Sequence, residues 1–484
     1  MSWKKPSVTA TKEALIGCNG SVKRNYKANF SPNERKFMER ICNEDDKFFK
    51  PIKILGDADW LSNHEESGQT FESFWRSYAN GELQGTLQND GGTPAASRPQ
   101  TARASRPPRF AGSKRPTGKT KTICILQLGP FPGDEDKESK VDKPNDFMVW
   151  LKSYCSAFFY SAKVVVLPPV SVADVACQFR VNELTGRFQL KAADILKHLH
   201  KAKPKHADCL VAVTMTDLYP RPNWDFVFGL ASTNASGEFG GVGVFSFARY
   251  DDIFYETWTQ GKDEMRRLPS GELDYSVFEK PPKRVDGSTI PVTDILLLRA
   301  CRVMAHEVGH MFGLKHCIWS KCLMNGSNHI QESDMRPSFL CPVCLRKLQV
   351  VLGFDILARY KAMKEWSSCE FWKDYKYCPG ENNIPTTKSK SASLPMWERR
   401  TLLPDTVTRP KTAVLTRKSV YLKRPASSKL SILQSKAKPA PKVPTIPTLL
   451  HKKKYYDVTV PPLEEFEGFR DWLSDAIETL TLDH

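Results

Sequence analysis

Residues 306–317 read HEVGHMFGLKHC. His306 and His310 lie four positions apart in a stretch with helical spacing. Four residues is about one turn, so both imidazoles project from one face and can reach one ion. Glu307 follows the first histidine; there it is placed to act not as a ligand but as a general base on a zinc-activated water. Gly313 can take the positive φ that lets the chain leave the helix. His316, three residues on, can then swing back as a third ligand. Three neutral imidazoles leave one tetrahedral position open to water, the arrangement of a catalytic zinc, which lowers the pKa of that water to roughly 7 and polarises a carbonyl. HExxH alone is short and recurs by chance on solvated helix faces. The extended pattern H-E-x-x-H-x-x-G-x-x-H, with five fixed residues over eleven positions, is far more specific.

A second constellation begins at the next bond. Cys317 and Cys322 have four residues between them, and Cys341 and Cys344 form a C-x-x-C knuckle, CPVC. Two such pairs suit a closed tetrahedral zinc with no open position. A lone CxxC would equally suit a redox dithiol; the second pair close in sequence favours metal. Cys369 and Cys378 lie nearby as spare ligands. Neighbouring side chains in a turn point to different sides, so His316 and Cys317 can serve two separate ions, the second pinning the segment that carries His316. Met324, two residues after Cys322, can put an apolar thioether floor beneath the three histidines, a role compatible with a core methionine.

The elements that must hold these residues are legible upstream. The apolar run ending at Gly-Pro around 122–131 reads as a buried strand, and 162–170 as a β-branched strand stopped by prolines. Residues 208–219 read as a third strand; 223–232 and 241–250 read as a strand pair across a Gly/Asn/Ser-rich turn. Helical spacing marks 145–161, 190–203 and the long segment 293–313, capped by Thr293 or Asp294. One or two further helices follow from 341 to 366. Strands alternating with helices and closed by a late hairpin give an α+β domain with a mixed sheet.

The remaining composition sets the surroundings. The 484 residues carry a formal charge of +17 and 13 cysteines. An odd, scattered cysteine set argues against a disulfide framework and for reduced thiols. No run of ~18 apolar residues occurs, and the first residues lack the apolar core of a secretory signal. Cytoplasm or nucleus is therefore the expected location. Residues 1–88 read as a region packing on the catalytic domain, 89–121 as a disordered basic linker and 122–378 as the catalytic domain. Residues 379–462 read as a disordered basic tail, and 463–484 as a candidate amphipathic helix with Phe466, Phe469, Leu473, Ile477 and Leu480 on one face.

The stretch HEVGHMFGLKHCIWSKCLMNG followed by LCPVCLRKLQVVLGF closely resembles the archaemetzincins, metzincin-type zinc metalloproteases. TDLYP (216–220) and VGVFSFARY (242–250) are similar to the same family, and the resemblance spans about residues 28–366. It implies a metzincin fold with an active-site helix and a small C-terminal subdomain. It also implies a catalytic zinc on His306, His310 and His316 with Glu307, a structural zinc on Cys317, Cys322, Cys341 and Cys344, and a methionine turn at Met324: two zincs per chain.

The expected activity is peptide hydrolysis, as an amino- or endopeptidase, on a peptide or protein substrate. That substrate would pair with an edge strand, for which 241–250 is the candidate. Tyr250 and His329 are nominal second proton donors. The rival reading is a non-catalytic zinc module whose basic segments bind nucleic acid or acidic partners; it leaves Glu307 without a role.

Overall fold

The structure, a computed structural model, describes residues 3–16, 32–43, 46–79, 120–134, 145–233, 240–252, 254, 263–281, 291–379 and 455–481. Nearly all of the basic linker 89–121 and most of the tail 379–462 lie outside the described residues. Those described belong to one unit, Met1–Thr387 with Lys452–His484.

At its centre is a five-stranded sheet in the order β2 (Lys163–Val170), β1 (Thr122–Leu128), β5 (Cys209–Thr214), β8 (Gly241–Ser246), β7 (Gly229–Thr233). The first four strands run parallel; β7 returns antiparallel on β8. The sheet is mixed, as expected. Strand residues alternate between two cores. Ile123, Ile125, Val211, Val213 and Phe245 enter one cluster with helices Asp146–Phe158 and Asp294–Met311; Cys124, Leu126, Leu210, Ala212 and Val244 enter the other with helix Ala192–Ala202. Burial on both faces explains why these strands read as unbroken apolar runs.

Three details differ from the sequence expectation. Strand β2 runs through Pro168 and Pro169 rather than stopping before them. It lies at a sheet edge, where a missing N–H leaves no ladder bond unmade. The single strand expected over 208–219 is two: after Thr214 the chain turns, with the Thr216 N–H donating to Thr214 Oγ1 (3.2 Å). The second piece, β6 (Asp217–Tyr219), joins β4 (Phe188–Lys191) and β3 (Phe179–Val181) in a separate small sheet. Finally, β8 is not an edge. It is bonded to β5 on one side and β7 on the other, so the edge at this end of the sheet is β7.

Helix Asp294–Met311 starts where Thr293 Oγ1 accepts the Leu296 N–H (3.2 Å). It is followed by helices Pro342–Leu352 and Ile356–Trp366. Helix Glu467–Thr481 packs on Ile356–Trp366 and buries Phe469, Leu473, Ala476 and Leu480. The N-terminal helices Val8–Ile16, Pro32–Glu39 and Phe71–Ala79 pack around Pro342–Leu352.

Candidate functional site

Seven of the residues singled out by spacing fall into two clusters, His306, His310 and His316 in one and Cys317, Cys322, Cys341 and Cys344 in the other. The helix Asp294–Met311 carries His306 and His310 one turn apart, and their Nε2 atoms lie 2.9 Å from each other. Gly313, with φ +85°, breaks the helix and lets His316 return; its ring centroid is 4.9 Å from that of His310 and 5.5 Å from that of His306. The other nitrogen of each ring is engaged. His306 Nδ1 pairs with the Leu323 carbonyl (2.8 Å), His310 Nδ1 with the Leu314 carbonyl (2.6 Å) and His316 Nδ1 with Glu66 Oε1 (3.0 Å). These acceptors require Nδ1–H, so it is the Nε2 lone pairs that can be offered to a cation. Burial, then the charges of His310 and Arg336, hold His306 well below the usual histidine range; burial and His316 bring His310 down to about 3. Both rings are therefore neutral at physiological pH, the form that binds zinc. The donor set fits the metal. Glu307 is half-buried on the same helix, one residue beyond His306.

The four cysteines are buried, with Cys317 Sγ and Cys341 Sγ 3.5 Å apart. The N–H groups of Cys341 (3.1 Å) and Met324 (3.5 Å) donate to Cys322 Sγ. Cys341 is the N-cap residue of helix Pro342–Leu352, which places Cys344 in its first turn. Burial pushes the Cys322 and Cys341 thiols up. Burial alone would do the same to Cys317, but hydrogen bonds from the other three sulfurs hold it low. Four converging sulfurs that share their protons in this way suit a divalent soft-ligand cation.

One short segment links the clusters. The Cys317 N–H donates to the Met324 carbonyl (2.7 Å), and Leu323, between Cys322 and Met324, supplies the carbonyl that holds His306. Met324 is fully buried against Gly309, between the two helical histidines: a Cβ built on Gly309 would lie 2.9 Å from Met324 Sδ. Tyr250 is buried against Phe228, and His329 pairs with Asp59 (3.2 Å) and Gln331 (3.1 Å). A third set, Asp59, His329 and Glu332, also converges. Its carboxylates already accept backbone N–H groups, Asp59 from Leu55 and Glu332 from Trp60 and Asn328.

Several groups at the site were not read from the sequence. Glu66, Trp60 and Gln69 arrive from a segment about 250 residues upstream. Arg336 Nη1 sits 3.2 Å from His306 Nδ1. No local spacing points to them.

Residues 290–350 match Peptidase family M54. Archaemetzincin-2 of Mus musculus is 38% identical over 385 residues, covering 79% of this chain and 91% of its own. Archaemetzincin-2 of Homo sapiens is 39% identical over 356 residues, 73% and 84% of the two chains. The solved archaemetzincin of Methanopyrus kandleri is 21% identical, covering 49% of this chain and 99% of its own with a TM-score of 0.30.

Proposed function

The chain belongs to the archaemetzincin family of zinc metallopeptidases, and from that premise we propose that it cleaves peptide bonds at the histidine cluster and keeps a second, structural zinc at the cysteine cluster. His306, His310 and His316 would hold the first zinc; Cys317, Cys322, Cys341 and Cys344 would hold the second. When bound, the first supplies Lewis acidity, bringing a water towards pKa ~7 and polarising the scissile carbonyl. Glu307 takes the proton of the attacking water and delivers it to the nitrogen of the leaving amine. The observation that supports this most is the convergence of three imidazoles, His306 and His316 buried and His310 half-buried, whose Nδ1 atoms are all committed elsewhere.

The substrate is a peptide or protein. The free edge of β7, rather than β8, is where an extended peptide would add to the sheet. Residues 1–88 are read as part of the same unit as the catalytic domain 122–378, and the basic tail 379–462 as a contact for an acidic partner. The compartment proposed is the cytoplasm or nucleus, where the four thiols stay reduced and available to zinc.

The test is a peptide library incubated with the full chain, with and without a zinc chelator, and read by mass spectrometry. Chelator-sensitive cleavage restored by zinc is expected. No cleavage by zinc-loaded protein, together with a polyanion affinity that falls steeply with salt, would instead support a non-catalytic binding module.

A further inference from the structure

The three imidazoles are not held alike. His306 and His310 are held by backbone carbonyls from the motif's own neighbourhood, Leu323 and Leu314. His316 is held by a carboxylate, Glu66, which comes from 250 residues earlier in the chain. An ionised carboxylate accepts and cannot donate, so it fixes the proton on Nδ1, sets the ring's orientation and presents the Nε2 lone pair.

Glu66 is itself fixed. Its Oε1 also accepts the Trp60 indole N–H (3.0 Å). The Trp60 backbone N–H is held by Glu332 (2.8 Å), and its ring stacks on His64 (centroids 3.7 Å) and meets His316 edge-on (4.7 Å). A Cβ on Gly326 would strike that ring at 2.5 Å, so the indole lies hard against the chain just beyond Met324. The segment is clamped at both ends. Gln69 bonds the Gly313 carbonyl (3.0 Å) and the Lys315 N–H (3.1 Å), while the Lys50 carbonyl accepts from Lys321 N (2.9 Å) and Ser320 Oγ (2.8 Å). Residues 50–69 thus bracket the loop that carries His316, and Glu66 is the member that hydrogen-bonds the imidazole.

We infer that Glu66 is a positioning residue for the histidine metal site, so that the segment 50–69 is part of that site rather than an appended support. The inference rests on His316 being a metal ligand. Its effect is on metal affinity: losing a partner of this kind costs roughly 10–100-fold. Packing of the segment against the loop is the competing account, and Gln69 provides the control, because it ties the same loop without touching an imidazole.

The experiment uses the full chain as wild type, E66A, E66Q, Q69A and H316A, with folding checked by circular dichroism. Zinc affinity of the histidine site is measured by competition with a chelator, with the cysteine site filled. The visible spectrum of the cobalt(II)-loaded protein is recorded in parallel. E66A is expected to weaken the histidine site about 10–100-fold and shift its cobalt bands, with E66Q between it and wild type because the amide oxygen still accepts from Nδ1. The sulfur-to-cobalt bands of the cysteine site stay unchanged. If E66A does not fold, affinity of E66Q below wild type supports the inference. Wild-type affinity and bands in E66A or E66Q overturn it, as does an equal loss in Q69A. H316A should lose the site altogether. Full metal binding there would remove the ligand assignment itself, an outcome distinct from any result at Glu66.

Discussion

Gly309 separates the two helical histidines and faces the Met324 thioether. A Cβ there would lie 2.9 Å from Sδ and 3.4 Å from Cε. Carbon and sulfur contacts settle nearer ~3.5–4.0 Å, so the thioether must retreat by more than half an ångström. It has nowhere to go, since Met324 is fully buried and its backbone carbonyl holds the Cys317 N–H. Overpacking of this kind costs about 1–3 kcal/mol. Replacing glycine by alanine inside a helix returns roughly 1 kcal/mol. Gly309→Ala should therefore lose about 1 kcal/mol net, or roughly 2–4 °C in Tm. In a Met324→Ala background, itself about 2–5 kcal/mol less stable, the clash is gone and only the helical gain remains. The same Gly309→Ala change should there become neutral or stabilising. Urea denaturation of the four proteins measures the coupling, expected at about 1–3 kcal/mol. Additivity within ~0.5 kcal/mol would refute the methionine floor.

Other outcomes follow from the same contacts. Cys341→Ser should release the structural zinc and, through Leu323 and the Cys317–His316 bond, weaken the histidine site as well; zinc counted by plasma mass spectrometry should fall from two per chain to less than one. Asp217 is buried with Arg249, whose Nη2 lies 2.8 Å away, so Asp217→Ala should cost about 3–5 kcal/mol by leaving that guanidinium unpaired, read in urea denaturation. Trp472 stacks on Phe339 at 4.0 Å and takes edge contacts from Phe48, Phe49 and Tyr360, tying both ends of the chain to the cysteine loop. Trp472→Ala should therefore lose about 3 kcal/mol, seen as a lower denaturation midpoint.

What the sequence disclosed was local. One helical turn between His306 and His310, the helix-breaking Gly313 and the Thr293 cap are all written within a few residues of where they act. The cysteine pairs converge because each is short-range and the helix Pro342–Leu352 starts at Cys341. What stayed hidden was long-range. The β7–β8 pair was legible, but β8 lies inside the sheet because its other side bonds β5, which no residue of β8 announces. The break after Thr214 lies within an apolar run because both pieces are buried, in different sheets. The Glu66–His316 contact joins residues 250 positions apart, and periodicity carries no information at that separation.

The central claim is that the histidine cluster is a hydrolytic zinc site served by Glu307. Its most direct test compares wild type with Glu307→Gln on one cleaved peptide, counting zinc in the same preparations. The account predicts two zincs in both proteins and a kcat lower by about 10²–10⁴-fold in the variant. Undiminished cleavage by a fully loaded Glu307→Gln protein would contradict it.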